Sequence, residues 1–157
     1  MVLYLAIFFA IIALDLLSKL MITSSFSVGQ GTTVIKGILD FVYVRNEGAA
    51  FGMLQGARVF FIVVTLAAVA AAIIYIVKAR PSSPLERTAL AFISGGAIGN
   101  FIDRLVLGYV RDFIAVTFID FPVFNVADCF VCIGAGLYIL YTLLDTFKAK
   151  KVEKSDE

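Results

Sequence analysis

Between Val59 and Val77 the chain runs 19 residues without a charged side chain. At 1.5 Å per helical residue that stretch is roughly 28 Å long, close to the hydrocarbon thickness of a bilayer. Three more apolar stretches accompany it. One covers about residues 2–23 and is broken by Asp15 and Lys19; one covers 88–107 and carries Gly95, Gly96, Gly99 and Asn100; one covers 126–144. In lipid every backbone polar group must be bonded internally, so only helices and closed barrels cross. Stretches of this length read as helices, because barrel strands are short and alternate in polarity. With 61% hydrophobic and 16% charged residues, a 157-residue chain could not hide its apolar surface as a water-soluble globule. The expected fold class is an all-α membrane protein, with four transmembrane helices and a small extracytoplasmic antiparallel β-sheet on the outer face.

Lysine and arginine set the expected orientation. Lys78, Arg80 and Arg87 crowd the 78–87 connection, and Lys148, Lys150, Lys151 and Lys154 crowd the tail from 145 to 157. Residues 24–58 hold only Lys36, Arg45 and Arg58, and residues 103–128 only Arg104 and Arg111. Both termini are therefore expected in the cytoplasm, with 24–58 and 108–125 outside, in a single membrane-embedded domain. The tail reads as a solvated anchor. The first stretch lacks a basic n-region and a small-x-small cleavage site, so it reads as a retained span. Six glycines punctuate 26–58, among strand formers such as Thr32–Ile35 and Phe41–Val44, which predicts the sheet there. The apolar segment 108–125 is expected to lie along the surface.

Composition excludes several chemistries. The chain has no histidine, which removes Ser–His and Cys–His catalysis, HExxH zinc proteases and most zinc sites. A net charge of +1 gives no basic field for nucleic acid. Cys129 and Cys132 spell CxxC, but inside an apolar span rather than a thioredoxin-like setting, so they read as packing residues.

Charged and amide groups at membrane depth are costly and need a reason. Asp15 and Lys19, four apart, share a helix face as a pair, either anchoring a helix end or positioning the outer segment. Gly95 and Gly99 form a small-xxx-small packing face. Asn100, Asp103 and Arg104 follow within one turn, as an Asp–Arg pair closing that face or as polar groups aimed at a site. Asn125 reads as an N-cap with Asp128 completing a capping box. Without histidine, paired carboxylates are the main acid–base resource, and spacing alone leaves Asp103, Asp112, Asp120 and Asp128 as candidates.

Five motifs occur in order: Asp15-Leu-Leu-Ser-Lys19, Arg45-Asn-Glu-Gly-Ala-Ala-Phe-Gly52, Gly95-Gly-Ala-Ile-Gly-Asn-Phe-Ile-Asp-Arg104, Val110-Arg-Asp-Phe113 and Phe124-Asn-Val-Ala-Asp128. Together they resemble the bacterial lipoprotein signal peptidases, signal peptidase II. The resemblance implies a membrane aspartyl endopeptidase of the bacterial cytoplasmic (inner) membrane. Such an enzyme cuts diacylglyceryl-modified lipoprotein precursors just before the lipidated cysteine and needs no cofactor or metal. It also implies Asp112 and Asp128 as the catalytic pair, with Asp103 in support and no role for Asp120. Asn46, Asn100, Arg104 and Asn125 fall on polar positions lining the site, while Gly48 and Gly52 keep the outer backbone close to it. Arg111 departs from the family pattern, where many relatives carry an apolar residue. The expected partners are lipid-modified precursors and membrane lipid, not nucleic acid. A small polar-path transporter or channel is the alternative, using Asp15, Lys19, Asn100 and Asp103 as its path. Those residues crowd toward one membrane face, which argues against a path.

Overall fold

The computed structural model describes residues 2–48 and 53–153. Four helices and three strands follow the order α1 (Val2–Ser25), β1 (Gly31–Ile35), β2 (Leu39–Asn46), α2 (Arg58–Ala79), α3 (Pro84–Val106), β3 (Val110–Val116) and α4 (Val126–Glu153). All four helices are long and apolar enough to cross a membrane. Their outward faces carry large apolar side chains such as Phe9, Val63, Ile74 and Ile139, as lipid contact requires. This is the expected fold class.

α3 is the central helix, packed against α1, α4 and α2. Its glycines make that possible. A Cβ at Gly95 would press on Ile11 and the Phe8 carbonyl of α1, and one at Gly96 would strike the Ala127 carbonyl of α4. Close approach of backbones through small residues is how helices associate in lipid. α2 contributes no buried residue. At the end away from the sheet, the Tyr75 hydroxyl of α2 donates to the buried Glu86 carboxylate of α3 at 2.5 Å.

The sheet has the order β1-β2-β3, all antiparallel. Its third strand corrects the expectation for the second outer segment. Val110–Val116 does not simply lie along the surface; it pairs with the edge of β2 that β1 leaves free. The register sets Val44 against Asp112, Arg45 against Arg111 and Asn46 against Val110, with a bulge between Phe41 and Val44. The sheet is seated by a small core of Ile22, Tyr43 and Phe113, flanked by Phe26, Phe41, Ile114 and Val126. Beyond β3 the chain folds back on itself. Phe113 and Ile114 donate their N–H groups to the Phe124 carbonyl at 2.9 and 2.8 Å, and Phe124 donates to the Ile114 carbonyl. That bridge brings the start of α4 alongside β3.

Candidate active site

Asp112 enters the site from β3. Successive strand residues point to opposite faces, so Phe113 seats the sheet while Asp112 faces the other way. Its two oxygens accept from Asn125 Nδ2 at 2.6 Å and Asn46 Nδ2 at 2.8 Å. Burial pushes its carboxyl up to about 6, helped by the nearby Asp128 charge and opposed by the Asn46 and Asn125 donors. Asp128 sits in the first turn of α4. It accepts from the Asn125 N–H at 3.0 Å, and its own N–H donates to Asn125 Oδ1 at 3.0 Å. This is the reciprocal pair of a capping box. Asn100 Nδ2 adds a third contact to Asp128 at 2.7 Å.

The amide orientations follow from a donor that cannot be reversed. Lys19 Nζ has only hydrogens to give, and it donates to Asn100 Oδ1 at 2.9 Å. Asn125 Nδ2 donates to the same oxygen at 3.0 Å. With its oxygen so occupied, Asn100 must turn its Nδ2 toward Asp128. Asn125, whose oxygen caps α4, must likewise turn its Nδ2 toward Asp112. One chain of oriented amides thus links the two carboxylates to a buried ammonium.

Behind that chain lies a row of fully buried charges. Lys19 Nζ bonds Asp15 Oδ2 at 2.7 Å and lies 3.4 Å from Asp103 Oδ2. Asp15 Oδ1 accepts from the Ala127 N–H at 2.9 Å, so a carboxylate of α1 satisfies one of the unpaired N–H groups at the start of α4. This pair thus lies buried between α1 and the start of α4, behind the two carboxylates. A Cβ at Gly99 would run into the Asp15 carboxylate, so only glycine admits it there.

Asp103 does not pair with Arg104. It binds Arg111, whose N–H, Nε and Nη2 donate to it at 2.6–3.2 Å. Adjacent residues on a helix point about a quarter-turn apart, and Arg104 points into the cavity instead. There its guanidinium stacks on Phe61 at 4.5 Å and Nη2 donates to the Gly48 carbonyl at 3.0 Å. Gly48 also donates its N–H to Asn46 Oδ1 at 2.9 Å, and a Cβ there would strike the Met53 carbonyl. Gly52 lies outside the described residues. Arg111 and Arg58 were not legible as contributors. Arg58 opens α2 and donates to the Arg104 and Leu105 carbonyls, both at 2.7 Å, closing the end of α3. Nothing in their sequence neighbourhoods marks partners 8 and 46 residues away.

Asn46, Asn100, Arg104, Asp112 and Asp128 all line one cavity of about 740 Å³ whose remaining wall is mostly apolar. Cys129 and Cys132 line it too, so these cysteines face a space rather than filling a packed core. Asp120 lies in a neighbouring cavity of about 330 Å³ that shares Asp112. Among the described residues no group of three or more carboxylates and thiols is arranged to hold a metal. Asp15, Lys19, Asn100 and Asp103 close on one another in a knot and do not form a path. The arrangement offers two carboxylates, differently held, at the polar end of an apolar cavity.

Residues 7–144 match the family described as signal peptidase (SPase) II. A lipoprotein signal peptidase of Brevibacillus brevis is 42% identical over 135 residues, covering 86% of this chain and 91% of its own. One from Shouchella clausii is 45% identical over 141 residues, covering 90% and 93%. A solved bacterial membrane enzyme superposes with a TM-score of 0.89 at 33% identity, covering 93% of this chain and 90% of its own. With four helices of spanning length, a matching fold and a match over most of its length, the chain belongs to the signal peptidase II family.

Proposed function

We propose that this aspartic-type signal peptidase, which removes signal peptides from lipoprotein precursors, works through Asp112 and Asp128 as a dyad. Asp128 is the base. The Asn100 side-chain amide and the Asn125 N–H hold its oxygens at the start of α4, where they can take a proton from water. Asp112, pushed up to about 6, keeps the proton more readily. A water held between them loses a proton to Asp128 as its oxygen attacks the scissile carbonyl carbon, while Asp112 protonates the carbonyl oxygen. On collapse the C–N bond breaks, the leaving nitrogen takes the proton from Asp128, and a hydroxyl of the intermediate returns one to Asp112. Each carboxylate ends as it began. Asp15, Lys19, Asn46, Gly48, Asn100, Asp103, Arg104 and Asn125 position the pair.

The substrate is a precursor whose cysteine already carries diacylglycerol, cut just before that cysteine. The observation that carries this reading is the joining of both carboxylates in one apolar cavity at the end of membrane-length helices. A lipid chain and a signal helix can stay at bilayer depth there while the bond meets the dyad. The enzyme lies in the bacterial inner membrane with both termini cytoplasmic and the sheet outside. Lipid and precursor are its partners, and nucleic acid is not. Purified protein in detergent, given lipidated and unmodified precursor, tests the substrate. Cleavage of the lipidated form alone is expected; equal turnover of both would contradict it.

A further inference from the structure

The sheet has a second face, turned away from the dyad. Residues two apart on a strand share a face, so Tyr43 and Arg45 of β2 lie opposite the side that presents Asn46. Arg45 and Arg111 are directly opposed across β2 and β3. Like charges so placed repel one another. Arg111 is compensated by Asp103, while Arg45 is exposed, stacks on Tyr109 at 4.9 Å and has no ion pair among the described residues. Tyr43, Arg45, Tyr109 and Arg111 line a cavity of about 530 Å³ whose wall holds no carboxylate among the described residues. Thr23, near the end of α1, Ser27 beyond it and Leu107, just past α3, also line it, at the level where two of the long helices end.

We propose that this cavity binds the headgroup of an anionic phospholipid in the leaflet on which the sheet lies. An unneutralised guanidinium with adjacent phenols suits the oxygens of a phosphodiester, because arginine presents a planar fork of donors to phosphate. Tyrosines at the ends of spans sit at headgroup depth. A zwitterionic headgroup brings its own cation to a wall that already holds two, so a net-negative lipid is favoured. Bound there, the lipid would relieve the Arg45–Arg111 opposition and hold β2 against β3, the strand that carries Asp112.

Native mass spectrometry of the full chain in detergent, with phosphatidylglycerol or phosphatidylcholine added, measures the binding directly and independently of any cleavage. The phosphatidylglycerol adduct should form preferentially and resist added inorganic phosphate. Arg45→Gln should weaken it about tenfold. Ser27→Asp, which puts a carboxylate on an exposed position of the cavity wall, should weaken it too, and it serves if Arg45→Gln fails to fold. Equal binding of the two lipids, unchanged binding in both variants, or displacement of the lipid by phosphate alone would each overturn the proposal.

Discussion

Asn125 makes two connections with one amide. Its oxygen caps α4 through the Asp128 N–H, and its nitrogen holds Asp112 and Asn100. The capping half is visible in the sequence, because the partner lies three residues on. The other half reaches 13 and 25 residues back and leaves no local pattern. Asn46 matters in a different way. Its donor favours the charged form of Asp112 and so holds that carboxyl down against burial. A carboxyl raised to about 6 keeps its proton in the folded chain where the unfolded chain has lost it. From the ordinary carboxylate range up to about 6, this group's contribution to stability therefore falls as pH rises, and above that it is constant. The acid form needed for protonating the carbonyl disappears over the same upper range. The alkaline limb of kcat/KM should thus fall through about pH 6. Asn46→Ala removes the restraining donor and should move that limb to higher pH; a shift to lower pH, read from the same profile, would contradict the assignment of the acid.

The four helices and an antiparallel sheet were legible at the scale of elements because each carries its own pattern. Apolar length marks the spans, and glycines with β-branched residues mark β1 and β2. β3 was not legible, because Val110-Arg-Asp-Phe-Ile-Ala-Val116 is a strand by virtue of the β2 edge beside it. The Asp103–Arg111 pair depends on that strand and stayed hidden for the same reason. The contact between α1 and α4 is equally non-local: Asp15 both neutralises Lys19 and caps Ala127. Asp15→Leu should leave a buried ammonium facing only Asp103 and Asn100, and the Ala127 N–H of α4 without its acceptor. A loss of about 3 kcal/mol or more is expected on breaking a buried pair this way. Equilibrium denaturation in mixed micelles reads it, and a near-neutral result would mean that the buried row does not hold the bundle together. Gly99→Leu should cost about 1–3 kcal/mol by driving α3 off α1 and α4. Its helix content should survive while cleavage falls, because Asn100 moves with α3. Circular dichroism alongside an activity assay separates the two effects.

The whole molecule assembles its two carboxylates from separate elements. β3 and the fold-back at Phe124 bring Asp112, and α1 and α3 brace the start of α4 beneath Asp128. Orientation in the membrane is a property of the same scale. Ser82→Cys and Gln30→Cys, each in a chain with Cys129 and Cys132 replaced by alanine, should react with an impermeant thiol reagent from opposite sides of the membrane. Reaction from one side would refute the four-span arrangement. The central claim is that Asp112 and Asp128 act together, and cleavage of a diacylglyceryl-modified precursor by substituted enzymes tests it most directly. Asp112→Asn and Asp128→Asn should each lower the rate about 10³-fold or more in folded, membrane-inserted protein, because partners in one chemical step fail together. Asp120→Asn should stay near the unsubstituted rate, and Asp103→Asn should fall between. Retention of most activity by Asp112→Asn, with complete loss in Asp103→Asn, would place the chemistry on a different carboxylate and contradict the account.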